Sequence, residues 1–284
     1  MNDFKSVQEV SMVDAIKAAS FPVERRPLVT ETGHHDTQYS IAHRVDQNQN
    51  LGLIKKTRPI ILYDTLIKWM IQDFEDAGLK YKLRDSVIMN KGDLYQEYIF
   101  DKKIDTPDES DMAPMIIVKS SYVGTLLEIF FGTYRFVCSN GMLVGETIGN
   151  IRVASGTQDL LQSSIKDNLK NKLDQFQWVS SLYSKLDDNS FNPYLEQYLA
   201  ALYLSAGYKK AVLAALQSTG NITVLKEKIR NTDFQGDVTL LYNIVNEISA
   251  WEFYNVVTNV LTTRARSVGA RSQVYHVSSK VFDI

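Results

Sequence analysis

The stretch that decides the fold is Met115–Gly141, MIIVKSSYVGTLLEIFFGTYRFVCSNG, in which branched and aromatic side chains dominate. Such runs favour buried strands. Gly124 ends the first run, and Gly132-Thr133 predicts either a tight turn or a bulge. Asn140-Gly141 predicts a hairpin turn, because this pair tolerates positive φ. The stretch therefore predicts consecutive antiparallel strands.

The β pattern extends to both sides of this stretch. Lys80, Lys82 and Arg84 alternate with other side chains, which predicts a strand with one basic face. Residues 90–93 have turn chemistry, and the residues after them predict the returning strand. We therefore expect an antiparallel sheet of five to seven strands within residues 80–155, interrupted by a charged loop at 101–113.

Helices are predicted before and after this sheet. Pro59 is suited to open a helix that Gly78 ends. Beyond the sheet, apolar residues recur in steps of three and four, which predicts a helix of about seven to eight turns over residues 157–186. Shorter helices are expected near 193–206, 208–218, 221–231 and 237–262, before a tail with a possible strand at 273–278.

These elements predict an α+β fold, in which a central antiparallel β-sheet packs against a long helix and is followed by a helical C-terminal region. Three parts of the chain are expected. They are an irregular N-terminal segment at 1–55, an α+β core domain at 56–190 and a helical region with a basic tail at 191–284. Pro22, Pro27 and the polar stretch at 30–37 are the reasons for expecting irregular structure in the first part. Within it, a short strand is expected at 39–45.

Composition limits the class of protein. The 284 residues carry a formal net charge of −2 and a single cysteine, so an internal disulfide and a cysteine-based zinc site are both excluded. The N-terminus lacks a secretory pattern, and no run approaches the roughly 20 apolar residues of a membrane helix. We expect a cytoplasmic protein without membrane association, in the host cytoplasm if a phage encodes it.

Common catalytic motifs are missing. Phosphate-cradling, dinucleotide, zinc-peptidase and nucleophile-elbow patterns do not occur, so no cofactor is predicted and a non-enzymatic protein is favoured over a motif-less enzyme. His34, His35, Asp36 and His43 are a possible metal group, but a polar loop is favoured, because adjacent histidines rarely point at one ion. Cys138 is expected to be a buried structural residue rather than a nucleophile.

Basic side chains are the remaining candidates for function. A sheet with basic and aromatic positions is typical of single-strand binders, in which cations follow phosphates and rings stack on bases. The alternative is that the basic side chains lie on a solvated face of the sheet and the aromatic side chains belong to the core. The pattern alone favours this alternative. The candidate phosphate contacts are Lys80, Lys82, Arg84, Arg135, Arg152, Arg264, Arg266 and Arg271.

Two segments in the same order resemble a protein family of phages and plasmids, domain of unknown function 932. The first comprises Ser120–Thr125 and then Phe131–Met142, which contains Arg135–Gly141 where the family has Arg-x-Val-Cys-x-Asn-Gly. The second is Ser249–Thr258, SAWEFYNVVT, and the resemblance covers about residues 60–284. Val123 stands where the family has aspartate, which weakens any metal or catalytic interpretation of that position.

The resemblance implies mobile-element biology, with DNA replication or recombination as the expected process. The order of helix, antiparallel strands and long helix is also similar to the core of single-strand annealing proteins, an analogy of fold alone. Those proteins form oligomers that hold a nucleic-acid strand in a basic groove, and they use no nucleotide cofactor. We therefore expect a homo-oligomer that binds single-stranded nucleic acid. The alternative is a non-enzymatic interaction protein that modulates host machinery or defence, which the acidic loop at 101–111 fits.

Overall fold

The computed structural model describes residues 7–29, 31, 33–89, 92–107, 109, 111–136, 140–143, 150–153, 162–163, 166, 169, 171–172, 177–188, 222–225, 241–244 and 249–264. The helices are α1 (Met12–Ala19), α2 (Tyr63–Asp76), α3 (Gln177–Asp187) and α4 (Ala250–Arg264). The strands are β1 (Val23–Val29), β2 (His35–Arg44), β3 (Gln49–Lys55), β4 (Tyr81–Met89), β5 (Asp93–Phe100), β6 (Met112–Ser120), β7 (Leu127–Arg135), β8 (Asn140–Leu143), β9 (Asn150–Val153), β10 (Ile222–Leu225) and β11 (Leu241–Ile244). The protein therefore combines helices with antiparallel sheets, as the sequence predicts.

A six-stranded antiparallel sheet forms the centre of the fold. The strands pair in the order β4-β5-β6-β7-β8, and β9 also pairs with β7. Gly132–Arg135 of β7 pair with β8, whereas Leu127–Phe130 pair with β9. β8 and β9 thus pair with successive halves of the same edge of β7. The sheet predicted for residues 80–155 is confirmed.

Helix α2 packs on one face of this sheet. Phe74 of α2 contacts Tyr81 of β4 and Tyr98 and Phe100 of β5, with ring centres 4.9–5.3 Å apart. Gly78 follows α2 with a φ of +66°, a conformation that glycine adopts without strain, so the predicted helix stop is confirmed. We call this side of the sheet the α2 face and the other side the opposite face.

α3 and α4 meet the α2 face at β7. The hydroxyls of Tyr183 in α3 and Thr133 in β7 lie 2.6 Å apart, and the Tyr183 ring lies 4.5 Å from the ring of Trp251 in α4. The sequence predicts one long helix over 157–186. The described positions between 162 and 172 are helical and α3 follows, but a continuous long helix is not shown.

The N-terminal part differs from the prediction. Instead of irregular structure across residues 1–55, α1 is followed by a three-stranded antiparallel sheet in the order β1-β2-β3, and the short strand predicted at 39–45 lies within β2 as far as Arg44. Pro27 lies in the edge strand β1, where a missing N–H is tolerated. Leu51 and Ile54 of β3 are buried. We infer that burial of these side chains stabilises strands in a segment whose polar composition alone favours loops.

Three further predictions of local structure are corrected. Gly132-Thr133 is neither a turn nor a bulge but continues β7, where it pairs with both neighbouring strands. Asn140-Gly141 is not a turn but begins β8, where it pairs with Arg135 and Tyr134. Residues 222–225 and 241–244, predicted as helical, form the antiparallel pair β10-β11, in keeping with the branched run Ile-Thr-Val-Leu.

Some predicted features fall on residues that the structure does not describe. They are the helices at 193–206 and 208–218, the tail strand at 273–278, and Cys138. Across the residues that are described, no helix combines the length and apolar character needed to cross a membrane.

Candidate nucleic-acid interface

The structure places three of the eight predicted phosphate contacts on one face of the six-stranded sheet, but β4 and β9 lie at opposite edges of it, so the three do not form one cluster. Lys82 pairs with Ile99 and Arg152 with Glu128, which places both on the opposite face. Arg84 also directs its guanidinium to that face. Arg135 lies on the α2 face, with its guanidinium 6.0 Å from the centre of the Trp251 ring. Lys80 is exposed just before β4, the side chain of Arg264 is not described, and Arg266 and Arg271 lie outside the described residues.

Arg84 is held by a buried carboxylate. Its Nη1 donates a hydrogen bond of 2.6 Å to Oε2 of Glu97, which is fully buried. The hydroxyl of Tyr95 donates to the other oxygen of Glu97 at 2.5 Å. The Arg84 guanidinium also lies 4.9 Å from the centre of the Tyr134 ring. This geometry makes Arg84 a partner of the core rather than an exposed cation.

The basic face predicted for β4 is present in part, because Lys82 and Arg84 both lie on the opposite face while Lys80 precedes the strand. Leu83 pairs with Tyr98 and Asp85 with Glu97, so Arg84 is the extra residue of a β-bulge between them. The bulge places Asp85 on the same face, and the pairing of Arg84 with Glu97 removes the Arg84 charge from the surface. Lys82 remains on the opposite face, where its Nζ donates to the backbone oxygen of Val7 at 3.3 Å.

A second charged group lies across β6, β7 and β9. Lys119, Glu128 and Arg152 are direct neighbours on the opposite face through the pairs Lys119–Glu128 and Glu128–Arg152. We call them the Lys119–Glu128–Arg152 row. Nε of Arg152 lies 3.0 Å from Oε1 of Glu128, and Nη2 donates to Oγ1 of Thr125 at 3.3 Å. The row therefore contains two cations and one carboxylate.

The two cations of the row differ in their surroundings. The side chain of Arg152 is 66% exposed. Nζ of Lys119 lies 4.8 Å from the centre of the Phe130 ring, and burial lowers the pKa of Lys119 although Glu128 opposes this effect. Sequence reasoning missed Lys119, because it lies within the apolar run of β6. A single lysine in an otherwise buried strand was the available signal.

The aromatic residues of this sheet are mainly core residues. Tyr95, Tyr98, Tyr122 and Tyr134 are all buried, and burial raises the pKa of Tyr98 above its ordinary value. Buried rings cannot stack on bases without rearrangement. The aromatic half of the predicted interface is therefore not provided by these side chains.

Ser120–Thr125, the first run of the family resemblance, ends β6 and forms the turn between β6 and β7. Oγ of Ser121 accepts hydrogen bonds from the backbone N–H groups of Val123 at 3.2 Å and Gly124 at 2.8 Å. The guanidinium of Arg58 donates to the carbonyl oxygens of Ser121 and Gly124. The local sequence of this segment thus has a structural explanation in the turn itself.

The histidine group does not assemble a metal site. Among the residues that the structure describes, no three histidine, cysteine or acidic side chains are placed to share an ion. His35 and His43 lie eight positions apart on β2, which corresponds to about 27 Å along a strand. The Asp36 carboxylate accepts backbone hydrogen bonds from Tyr39 at 2.6 Å and Gln38 at 2.8 Å, which lower its pKa.

The N-terminal sheet carries an exposed ring and cations that are not among the eight predicted phosphate contacts. Tyr39 of β2 pairs directly with Lys55 of β3, and the neighbouring pair on that face is Ile41–Leu53. Tyr39 is 37% exposed and Leu53 is 55% exposed, and Lys55 is also exposed. Arg26 of β1 pairs with Ile41 and so lies on the same side. We call Arg26, Tyr39, Leu53 and Lys55 the Tyr39–Lys55 face.

Comparisons of the chain with protein-family models, with curated proteins and with solved structures find no match.

Proposed function

We propose that the chain is a single-stranded nucleic-acid-binding protein of a phage or another mobile element, active in annealing, recombination or replication. The proposal includes a homo-oligomer in the host cytoplasm that uses no cofactor. The observation that carries the binding role is the Lys119–Glu128–Arg152 row, which has an excess of positive charge at a partly exposed position on the sheet. The mobile-element role is supported by the sequence resemblance alone.

Arg152 is the strongest phosphate contact in this proposal. Two of its N–H groups hold Glu128 and Thr125, which orients the guanidinium. A guanidinium has five N–H donors, so others can reach a phosphate oxygen from a side chain that is 66% exposed. Glu128 acts as a positioning residue, because it fixes one edge of the planar group.

Titration of a fluorescently labelled single-stranded oligonucleotide with the full chain, at several salt concentrations, tests this function. We expect binding that weakens steeply as salt rises, because phosphate contacts release counterions. Arg152→Ala should weaken binding and reduce the slope of log affinity against log salt by about 0.7, the value for one contact with a single strand.

Lys68→Ala is the matched control for Arg152→Ala. Lys68 is also an exposed cation in an ion pair, with Asp64 at 3.2 Å, but it lies on α2. Its removal should leave affinity and salt slope unchanged. Absence of binding by the unmodified chain at low salt would overturn the proposed function.

A second candidate is a non-enzymatic protein that binds host machinery or a host defence protein. The acidic loop at 101–111 favours it, because a surface rich in carboxylates suits a basic protein partner better than a polyanion. Affinity capture from host lysate after nuclease treatment separates the two candidates. A partner that survives the nuclease and is released by high salt supports this second function, whereas capture that depends on nucleic acid supports the first.

A further inference from the structure

We propose that the Tyr39–Lys55 face is a binding site for single-stranded nucleic acid, in which the Tyr39 ring stacks on a base and Lys55 contacts the adjacent phosphate. This inference rests on the proposed function and assigns a site that is separate from the Lys119–Glu128–Arg152 row. It supplies the exposed aromatic component that the buried rings of the six-stranded sheet do not provide.

The pairing of β2 with β3 brings ring and cation together. Tyr39 and Lys55 are direct cross-strand partners, so their Cβ atoms are about 4.5–5.5 Å apart on one face. Leu53, two residues before Lys55, extends the apolar surface beside the ring. A base stacked on Tyr39 would thus have its phosphate within reach of the flexible lysine side chain.

The backbone under this face is fixed before any ligand binds. The carbonyl of Lys55 accepts a hydrogen bond of 3.1 Å from Nη1 of Arg25, and the N–H of Lys56 donates to the Gln38 carbonyl at 2.8 Å. Nη1 of Arg25 also donates to Oγ of Ser40 at 2.8 Å, directly beside Tyr39. Ordering both strands in this way lowers the entropic cost of binding.

Charge favours a polyanion as the occupant. Arg26 and Lys55 contribute two positive charges to this side of the sheet, and Glu24, paired with Arg26 at 2.7 Å, contributes one negative charge. Lys56 follows immediately and is exposed, but the Asp36 carboxylate, which accepts from the backbone N–H of Tyr39, offsets its charge. An exposed ring beside a cation excess fits bases linked by phosphates better than it fits an apolar protein segment.

The test compares an ordinary labelled oligonucleotide with one of the same length that contains abasic sites. Stacking requires a base, so the unmodified chain should bind the ordinary strand about fivefold or more tightly than the abasic strand. Tyr39→Ala should lose most of this difference, and Tyr39→Phe should keep it because the ring remains. Lys55→Ala should reduce the salt slope, whereas Lys55→Arg should not.

The outcomes separate this inference from the proposed function. If the unmodified chain does not bind the ordinary strand at low salt, both fail. If it binds, and Arg152→Ala weakens binding while Tyr39→Ala and Lys55→Ala do not, the proposed function stands and this site is wrong. Self-association that is lost in Tyr39→Ala, with unchanged oligonucleotide affinity, would assign the face to a second copy of the chain and also overturn the inference. Circular dichroism of each variant, with Tyr39→Phe as the folded reference, shows that losses do not come from unfolding.

Discussion

Arg84 and Glu97 form an ion pair inside the sheet, and this changes what a substitution of Arg84 measures. Glu97 has no exposed surface, so its charge depends on Arg84 and on the hydroxyl of Tyr95. Removing one partner of such a pair leaves a buried, uncompensated charge, which typically costs about 3–5 kcal/mol. We therefore expect Arg84→Ala to lower the free energy of unfolding by several kcal/mol, measured by denaturant titration.

The control for this prediction is the double variant Arg84→Met/Glu97→Gln. It removes both charges while keeping the approximate volumes, so its loss of stability should be smaller than that of Arg84→Ala. Equal losses in the two variants would show that the charges are not coupled. A folded Arg84→Ala of unchanged stability that binds nucleic acid weakly would restore Arg84 as a phosphate contact.

At the scale of elements, Arg58 joins the N-terminal sheet to the β6–β7 turn. Its guanidinium donates to two carbonyls of the turn, and its own carbonyl accepts from Nη2 of Arg25 at 2.5 Å. Lysine has no planar fork and cannot bind both carbonyls in this way. We expect Arg58→Lys to accelerate amide hydrogen exchange at Ser121–Leu126, while exchange in the centre of β5 stays slow. Uniform acceleration in both places would instead indicate loss of global stability.

Gly52 of β3 sets the distance between the N-terminal sheet and the same turn. Its φ is +154°, and a Cβ there would lie 2.9 Å from Cγ1 of Val123. Gly52→Ala should therefore destabilise the protein by about 1–3 kcal/mol through backbone strain and steric conflict. Val123→Ala in the same chain should recover the steric part, as measured by thermal unfolding of the two single variants and the double variant. If the double variant shows no recovery, the contact with Val123 is not the cause.

For the molecule as a whole, the sequence predicts the parts whose pattern is local. The strands around Met115–Gly141 and the stop of α2 at Gly78 follow from apolar runs and from glycine chemistry, and the structure contains both. The N-terminal sheet was not predictable in the same way. Its strand β1 is mostly exposed and contains Pro27, and its order depends on distant contacts such as those of Arg25 and Arg58.

The candidate sites show the same limit. Alternation places Arg84 on the same face as Lys82, as the structure does, but it does not reveal that the buried Glu97 pairs with its charge. Lys119 and Arg152 become neighbours only through the pairing of β6, β7 and β9, which no local pattern encodes. Tyr39 gains its cationic neighbour from the register of β2 against β3. The sequence shows which residues are charged. The register of the paired strands is needed to show which of their side chains become neighbours.

Buried tyrosines make the stability of the whole molecule sensitive to alkali. Burial raises the pKa of Tyr63, Tyr98 and Tyr183 above the ordinary value near 10, because a buried phenolate would lose its hydration. Below about pH 10 these groups are protonated in both the folded and the unfolded chain, so their contribution to the free energy of unfolding is fully present. As the pH rises above about 10 the unfolded chain loses these protons first, and stability falls until the folded values are passed. We expect near-ultraviolet phenolate absorbance of these groups to appear together with the loss of the far-ultraviolet circular dichroism signal. Titration of all 15 tyrosines near pH 10 with an unchanged circular dichroism spectrum would contradict the burial on which this argument depends.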